Sequence, residues 1–256
     1  MDCCAVLDLR QYTLYDGRRD DLITLFDREF VEGQEAYGMH VCGQFRDLDD
    51  DNQFVWLRGF PSLEARGEAL QGFYSGPVWK AHSAEANATM KDSDNALLLR
   101  PLALGADWPA LGSPRLPVDA VPVDSRLPVD SVPVDAEEAV GTVVAGAVYH
   151  RRPDDDGFVE FFTERVMPVL ADAGVRFAGI FETLPAENNF PALPLRDETV
   201  LVWLAVFADD TAYQLHRRHL AESASWREIA AELERRCGKP AQGLRLRPTT
   251  RSQLGR

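Results

Sequence analysis

The chain has 256 residues, enough for one large domain or two small ones. Its 27 Lys and Arg residues against 41 Asp and Glu residues give a formal net charge of −14, which disfavours binding to nucleic-acid phosphates. No apolar run approaches the ~20 residues needed to span a bilayer, and the N-terminus lacks the basic and apolar segments of a secretory signal. We therefore expect a cytoplasmic protein without a membrane or nucleic-acid partner.

The four cysteines show no paired Cys-x-x-Cys spacing; they are Cys3, Cys4, Cys42 and Cys237. This pattern argues against a structural zinc site and against a disulfide framework, so we expect no metal and a reducing compartment. The vicinal pair Cys3-Cys4 lies beside Asp2 and Asp8, which oppose the low thiol pKa that a redox-active cysteine needs.

An internal repeat organises the chain. Three pairs of residues are separated by 147 positions: Trp56 and Trp203, Trp79 and Trp226, Pro101 and Pro248. Four pairs further upstream are separated by 136: Phe26 and Phe162, Gly38 and Gly174, Gly43 and Gly179, Phe45 and Phe181. The difference, 147 − 136 = 11, predicts an insertion in the second copy, around residues 187–197. We divide the chain into a first copy (1–102), a linker (103–139) and a second copy (140–256).

Each copy shows the order β-α-β-β-α-β. In the first copy, periodicity predicts strands over 5–14, 39–46, 53–60 and 95–100, and helices over 18–37, 62–73 and 78–90. The second copy repeats the pattern over 142–151, 157–173, 175–183, 199–207, 209–236 and 243–247. This order predicts an α+β fold made of two tandem ferredoxin-like (βαββαβ) copies.

The linker contains four Pro-Val-Asp units between residues 117 and 135. Proline removes backbone donors, and the Asp charges repel one another, so we predict an extended polyproline-like spacer. We expect a protease to cut the chain there first.

The predicted strands carry apolar residues on both faces. In the strand 53–60, Phe54, Trp56 and Phe60 alternate with Val55 and Leu57. A sheet covered by helices on one side only would leave the other apolar face in water. We therefore expect the two sheets to pack face to face as a pseudo-twofold α+β barrel around a central space that suits a small ligand. Sheet edges left free by this packing favour a homodimer.

Four segments have a distinctive composition: Leu9-Arg-Gln-Tyr12 with Asp16-Gly17, the aromatic strand Phe54 to Phe60, Pro77-Val-Trp79-Lys80, and Asn188 to Arg196. Together they resemble the NIPSNAP family. The resemblance covers both copies, about 5–101 and 142–248, while the long Pro-Val-Asp linker departs from it. NIPSNAP-like proteins are similar to the dimeric α+β barrel group, which implies the barrel just described. That group includes haem-handling proteins, cofactor-free monooxygenases, and small isomerases or cyclases.

Arginines and aromatic residues share strand faces, which favours a site for an anion. Arg10 and Tyr12 lie on one face of the first strand, and Arg58 shares a face of the third with Trp56. Arginine among aromatic walls suits a carboxylate or phenolate ligand, so we predict that these four residues bind the ligand. The alternative is that the arginines pair with structural acids.

The second strand carries a further polar row. Simple alternation places His40, Cys42, Gln44 and Arg46 on one face, either towards the central space or at the surface. In the first case, His40 is a candidate catalytic residue and Arg46 a candidate ligand-binding residue.

Three other residues are candidates for proton transfer. His82 follows Trp79 on a predicted helix and is either a general base, a haem ligand or a surface residue. His150 and Glu182 end neighbouring strands of the second copy and form a candidate acid–base pair.

The insertion and one helix of the second copy offer the last candidates. Asn189 and Arg196 lie in the insertion, which either binds the ligand or covers a sheet edge. His216 and His219 have the spacing of a metal chelate, but two arginines lie between them, so we predict a solvated helix face.

No nucleotide-binding, zinc-protease or hydrolase motif appears in the chain. Our leading hypothesis is an enzyme of secondary metabolism that acts on a hydrophobic, aromatic or polyketide-like substrate. It would catalyse a proton-transfer, cyclisation, isomerisation or oxygenation reaction without a cofactor. The alternatives are a protein that binds haem or another small ligand without catalysis, and a protein-interaction module.

Overall fold

The computed structural model describes residues 4–115, 117 and 141–255, so most of the Pro-Val-Asp linker and its predicted cleavage lie outside the described residues. The described chain contains eight strands: β1 (Val6–Leu14), β2 (His40–Asp47), β3 (Gln53–Phe60), β4 (Met90–Leu104), β5 (Val143–His150), β6 (Phe177–Thr183), β7 (Val200–Phe207) and β8 (Gln242–Pro248). They form a closed antiparallel barrel in the order β1-β3-β2-β8-β5-β7-β6-β4.

Helices cover the outside of the barrel in two groups, one for each half of the chain. The first half contains α1 (Arg19–Leu25), α2 (Val31–Glu35), α3 (Leu63–Ser75) and α4 (Pro77–Asn87). The second half contains α5 (Phe158–Phe161), α6 (Met167–Asp172), α7 (Asp210–Glu222) and α8 (Ala224–Arg236). A π-helical turn links α1 to α2 at Phe26–Phe30, and another links α5 to α6 at Phe162–Val166. These turns start at Phe26 and Phe162, one of the pairs that mark the repeat.

The two four-stranded sheets meet along their edges rather than face to face. Strand β2 pairs with β8, and β4 pairs with β6, so each half completes the sheet of the other. Each strand of the described barrel therefore has a neighbour on both sides. The free edges on which we based the homodimer are absent from this barrel, and the homodimer remains a prediction without that support.

The inside of the barrel is filled. Its inward side chains form one apolar cluster, which draws on all eight strands and consists mainly of Leu and Val. At one mouth of the barrel, the Gln11 and Gln242 side chains hydrogen-bond at 2.7 Å. The expectation of a ligand chamber between the sheets is therefore wrong, because alternating aliphatic residues occupy that volume. The charged and aromatic candidates on β1 and β3 lie instead on the outer face, under the helices.

Strand β2 departs from simple alternation. Its pairing with β3 shifts register between Val41 and Gly43, which marks Cys42 as a bulge. Beyond the bulge, each residue of β2 points to the side of the sheet opposite to the one that simple alternation predicts. Cys42 and Phe45 both belong to the interior cluster, while Gln44 and Arg46 contact the helices. The prediction that His40, Cys42, Gln44 and Arg46 share one face is therefore wrong.

The same bulge recurs in the second half and explains two pairs of the repeat. The pairing of β6 with β7 shifts register between Phe177 and Gly179. A Cβ atom added at Gly43 would lie 2.4 Å from the Phe45 ring, and one at Gly179 would lie 2.3 Å from the Phe181 ring. Each phenylalanine folds back over the glycine two positions earlier, so only glycine fits there.

Two elements begin or end at residues other than those predicted from the sequence. The predicted helix 209–236 is divided into α7 and α8, because Ser223 adopts an extended conformation and its hydroxyl caps α8 by accepting from the Trp226 amide. The last strand of the first half is longer than predicted, because β4 pairs with β1 and then with β6. It runs to Leu104, into the range assigned to the linker. Nowhere in the described ranges is there a helix both long and apolar enough to cross a bilayer.

Candidate functional site

The outer face of the first sheet carries charged and aromatic residues on two adjacent strands. Arg10 lies opposite Trp56 in the pairing of β1 with β3, and Asp8 lies opposite Arg58. All four side chains are buried under the helices, with at most 1% of each exposed. The candidates Arg10, Trp56 and Arg58 are therefore neighbours, as predicted, but on the helix side of the sheet.

Asp8 connects two of the arginines. Its carboxylate accepts hydrogen bonds from Arg58 Nε at 3.0 Å and from Arg66 Nε, on α3, at 2.9 Å. Arg58 also donates to Gln34 Oε1 at 2.9 Å. Burial alone would raise the pKa of Asp8, but the charges of Arg58, Arg66 and Arg10 outweigh this and hold the pKa below its ordinary value.

Arg10 is bonded to neutral groups only. Its Nε donates to Tyr12 Oη at 3.1 Å, and its Nη2 donates to the Ser93 carbonyl at 2.9 Å. Within the described part of the chain, Arg10 Nη1 and Arg66 Nη2 are buried without an acceptor, and so is Trp56 Nε1. The cluster thus holds three guanidinium groups against the single carboxylate of Asp8, an excess of two positive charges.

A small aromatic cavity adjoins this cluster. It measures about 30 Å³, enough for a water molecule or two, and lies between the sheet and helices α1 to α4. Its lining includes Tyr12, Gln34, Trp56, Tyr74 and Trp79. Burial raises the pKa of Tyr12, although Arg10 opposes the shift, so the hydroxyl keeps its proton at neutral pH. Because that oxygen already accepts from Arg10, its own proton is available to a ligand.

The insertion of the second half covers the site of the first. Arg66 Nη1 donates to Asn189 Oδ1 at 2.8 Å and to Asn188 Oδ1 at 3.3 Å. The Phe190 ring stacks on Tyr74 with ring centroids 5.8 Å apart. The Arg196 amide donates to the Ala96 carbonyl at 2.8 Å, which fixes the far end of the insertion to β4. Asn189 therefore contacts the arginine cluster, whereas Arg196 lies outside it.

His82 lies at the outer rim of the cavity. Its Nε2 is 3.6 Å from Glu29 Oε2, and its ring meets Phe30, a cavity wall, edge to face at 6.4 Å. The side chain is 29% exposed. This cavity is far smaller than a haem, and His82 points to Glu29 instead, so the cavity of the first half and His82 do not fit a haem.

His150 and Glu182 do not form the predicted pair. His150 Nδ1 is 3.0 Å from Glu198 Oε2, while Glu182 accepts from Arg100 Nη2 at 2.6 Å. Burial, with help from Lys239, lowers the pKa of His150. Glu182, Glu198 and Arg196 line a polar cleft of about 520 Å³. The prediction failed because it used only the positions of the strand ends, whereas Glu198, in the loop just before β7, is the actual partner of His150.

Three polar residues singled out in the sequence analysis lie outside the arginine cluster and contact other groups. Arg46 Nε donates to Asp20 Oδ1 at 3.0 Å, away from the arginine cluster. His40 lies near the opposite surface of the sheet, beside Cys4 and Cys42. His216 is buried and its Nδ1 is bonded to the Ala173 carbonyl at 3.0 Å, so the predicted solvated face is wrong at this position.

The second half holds a larger cavity in the corresponding place. It measures about 550 Å³, within the usual range for small-molecule sites. Tyr149 and Trp226 line it, at the positions that Tyr12 and Trp79 take in the first half. Burial raises the pKa of Tyr149 to about 12. The lining is mostly apolar, with Glu234 and Lys239 as its charged members.

Sequence reasoning missed Asp8, Gln34, Arg66 and Tyr74. Asp8 could have been found, since it alternates onto the face of Arg10 and Tyr12. Gln34, Arg66 and Tyr74 lie on helices that carry no catalytic motif, and only the packing of α2 and α3 on the sheet brings them to β1.

The fold and site define an α+β barrel protein with an arginine-rich aromatic site in one half. Residues 7–103 match the NIPSNAP family model, which confirms the resemblance for the first half. A NIPSNAP family protein from Agrobacterium tumefaciens matches 44% of this chain and 91% of its own at 18% identity, with a TM-score of 0.36.

Other solved structures match nearly the whole chain. An anthrone oxidase-like protein matches at 9% identity and a TM-score of 0.58, over 98% of this chain and 95% of its own. A provisionally assigned monooxygenase from Lactobacillus acidophilus matches at 11% identity and 0.54, over 98% and 96%. At such identities the similarity establishes the fold alone. No curated protein matches the chain.

Proposed function

We propose that the first half binds a small aromatic molecule with an ionised oxygen, between its sheet and its helices, and acts on it as an enzyme. The observation that carries this proposal is the buried excess of two positive charges beside an aromatic cavity. At about 30 Å³ the cavity is closed in this structure, so the proposal requires the insertion that covers it to open when the ligand binds. A buried charged donor without an acceptor costs a few kcal/mol, so a bound carboxylate, phenolate or enolate would relieve a penalty that the free protein bears.

The chemistry follows from the donors. Arg10 Nη1 and the Tyr12 hydroxyl would both face an oxyanion, and preorganised donors of this kind stabilise charge that develops during a reaction. A substrate with a weakly acidic C–H group next to a carbonyl would lose its proton more readily here, because its enolate is stabilised. Proton transfer, cyclisation and isomerisation all begin with that step, and so does reaction of the carbanion with oxygen.

The anthrone oxidase-like protein among the structural relatives suggests a test substrate. Anthrone is aromatic, and its enolate carries the charge on oxygen. In the proposed oxidation, anthrone and O₂ give anthraquinone and water, so the substrate loses two hydrogens and gains one oxygen atom while the second oxygen leaves as water. No other oxidant is required. An oxygen electrode would measure the consumption of O₂ that depends on anthrone and protein.

The binding step can be tested separately. Naphthoate, an aromatic carboxylate, should quench the fluorescence of Trp56 and Trp79, whereas the neutral alcohol naphthalenemethanol should bind far more weakly. The Arg10→Met variant should lose naphthoate binding by about tenfold or more, the effect expected for one charged hydrogen bond of 1.5–3 kcal/mol. Arg176→Met is the matched control, because Arg176 is an exposed arginine paired with Asp107. Equal affinities of the two variants would rule out this site.

A second function is favoured by the larger cavity of the second half. Its apolar lining suits a neutral hydrophobic ligand, which would be bound without catalysis. Nile red should bind to the wild-type chain and to Arg10→Met equally. Ala230→Trp, which fills the cavity, should abolish the binding; if Nile red binds this variant normally, the cavity is not the site.

We also propose that the two halves are ferredoxin-like copies produced by duplication. Their identical element order, their identical strand order and the matching bulges in β2 and β6 support this interpretation. The edge pairing of β2 with β8 and of β4 with β6 would then correspond to the contact between two single-copy chains.

A further inference from the structure

Three potential metal ligands meet at one mouth of the barrel, opposite the end where Gln11 and Gln242 pair. Cys4 precedes β1, and His40 and Cys42 lie at the start of β2; all three side chains are buried. The Cys4 and Cys42 sulfurs are 3.8 Å apart. His40 Nδ1 is 3.4 Å from the Cys4 sulfur and 3.7 Å from the Cys42 sulfur.

These separations are those of ligands around one tetrahedral zinc ion. Zn–S bonds of about 2.3 Å and Zn–N bonds of about 2.0 Å place neighbouring sulfurs about 3.8 Å apart, and a sulfur and a nitrogen about 3.5 Å apart. A disulfide, in contrast, requires the two sulfurs to approach to about 2.05 Å. The triangle therefore has the right size for an ion without movement of its three corners.

The hydrogen bonds around His40 orient its ring for a metal. Gln253 Nε2 donates to the Ser113 carbonyl at 2.7 Å, which turns Gln253 Oε1 towards the ring. That oxygen lies 2.7 Å from His40 Nε2 and accepts its proton. Nδ1 of the neutral ring is then the unprotonated nitrogen, and it faces both sulfurs. A hydrogen bond on the far ring nitrogen is the usual support of a metal-bound histidine.

The start of β2 and the C-terminal segment bring the ligands together. His40 and Cys42 both lie on the interior side of β2 at the mouth of the barrel, and the β-bulge at Cys42 changes the facing only of the residues that follow it. The C-terminal segment is attached there through the Leu254 amide, which donates to the Cys42 carbonyl at 2.9 Å. Glu35 accepts from the Val41 amide at 3.4 Å and is paired with Arg115, so the two thiolates would be the anionic ligands of the site.

We propose that Cys4, His40 and Cys42 bind a zinc ion, which ties the start of β1 to β2 and to the C-terminal segment. Two thiolates and one imidazole are the ligand types that zinc prefers. Binding replaces two thiol protons with the ion, so the affinity should increase with pH. The absence of Cys-x-x-Cys spacing argued against a metal, but the barrel joins residues 36 positions apart in the chain.

The test uses cobalt(II) as a coloured probe on the reduced, full-length chain. The wild type should bind one equivalent and show thiolate-to-cobalt charge-transfer absorption, which zinc should displace. Cys42→Ser should lose this absorption. Cys237→Ser should keep it, because Cys237 is a buried cysteine of the second half that lies outside the site. Absence of the band from the wild type, or an undiminished band in Cys42→Ser, would overturn the proposal.

Two further measurements keep the test valid if Cys42→Ser folds poorly. Gln253→Leu leaves all three ligands in place and should weaken zinc binding by about 10–100-fold while the cobalt band remains; an unchanged affinity would contradict the proposed orientation of His40. Peptide mapping of the wild type, kept in air with excess zinc, should recover Cys4 and Cys42 as thiols. Recovery of a Cys4–Cys42 disulfide would identify a redox pair and overturn the zinc site.

Discussion

The two halves of the barrel share a backbone but differ in what lies between sheet and helices. Trp56 on β3 faces Arg10, and Trp203 on β7 faces Ala147. One step further along the same face, Asp8 and Arg58 pair in the first half, and Ala145 and Ala205 pair in the second. Asp8, Arg10 and Arg58, the charged residues of the cluster on β1 and β3, therefore each correspond to an alanine in the second half.

This difference shows that the architecture forms with or without buried charged residues. The second half forms the same strands and helices around an apolar core, so buried charges are not required for this architecture. Buried ion pairs are often no more stabilising than well-packed apolar residues. Asp8, Arg10 and Arg58 are therefore better explained by binding or chemistry than by stability.

The insertion is a further difference between the two halves. It belongs to the second half in sequence, yet its residues Asn188, Asn189 and Phe190 contact the first half. The half with the charges has a closed site of about 30 Å³, and the half without them has a cavity of about 550 Å³. The two halves thus differ in both charge and access.

The largest effect should come from removing the single carboxylate of the cluster. Asp8→Ala leaves Arg58 and Arg66 buried without a counter-charge, which should reduce the free energy of unfolding by about 3–5 kcal/mol. Urea denaturation would measure the loss.

The double variant Asp8→Ala/Arg58→Ala reproduces the alanine pair of the second half. It should cost less than the sum of the two single variants, because neither change then leaves an unpaired charge opposite the other. Asp107→Ala is the control, because it removes an exposed ion pair and should cost about 1 kcal/mol or less. Simple additivity would show that Asp8 and Arg58 are not coupled.

The second largest effect on stability should come from Asp27, and it depends on pH. Burial raises the pKa of Asp27 from 3.8 to about 6, so the folded protein holds this proton more tightly than the unfolded chain. Stability should therefore fall as pH rises from about 4 to about 6 and then level off. Asp27→Asn cannot ionise and should be more stable than the wild type above pH 6, by up to about 3 kcal/mol.

The second half again supplies the control for Asp27. The corresponding residue, 136 positions later, is Thr163, which is exposed. Thr163→Asn should leave the pH dependence of thermal unfolding unchanged. An advantage of Asp27→Asn that persisted below pH 4 would show that its cause is not ionisation.

Much of this comparison could be predicted from the sequence, and the failures have particular causes. Residue spacing located both halves, the insertion and the grouping of Arg10, Tyr12, Trp56 and Arg58, because these depend on local periodicity. Which side of the sheet faces the helices could not be derived, since both sides are buried and both read as apolar.

The remaining failures share one origin, which is contact between distant segments. The bulge at Cys42 reversed the facing of Gln44 and Arg46, and a bulge leaves little trace in the hydrophobic pattern. Arg66 reaches Asp8 across 58 positions, and His40 reaches Gln253 across 213. Such pairs are fixed by the closure of the barrel, which no local pattern records.

An effect of equal size in the two halves is expected at the bulges. Gly43→Ala and Gly179→Ala would each press a methyl group into a phenylalanine ring, and each should cost about 1–3 kcal/mol in thermal or urea unfolding. Gly243→Ala is the control, because nothing lies within 4 Å of a Cβ atom there. A large cost at one bulge only would show that the two halves do not use the same packing.

The smallest effect on stability should come from the insertion, where Phe190 stacks on Tyr74. Phe190→Ala should cost about 1 kcal/mol, the value of one aromatic pair, whereas Leu111→Ala, at a residue that is 63% exposed, should cost less. If the insertion is a cover that must open, the variant should bind and release naphthoate faster with little change in affinity. The reason is that the variant opens more often, which speeds up both the entry and the exit of the ligand. If the insertion is instead a wall of the site, only release should accelerate. Stopped-flow fluorescence separates the two cases, and the second would assign Phe190 to the ligand contacts of the first half.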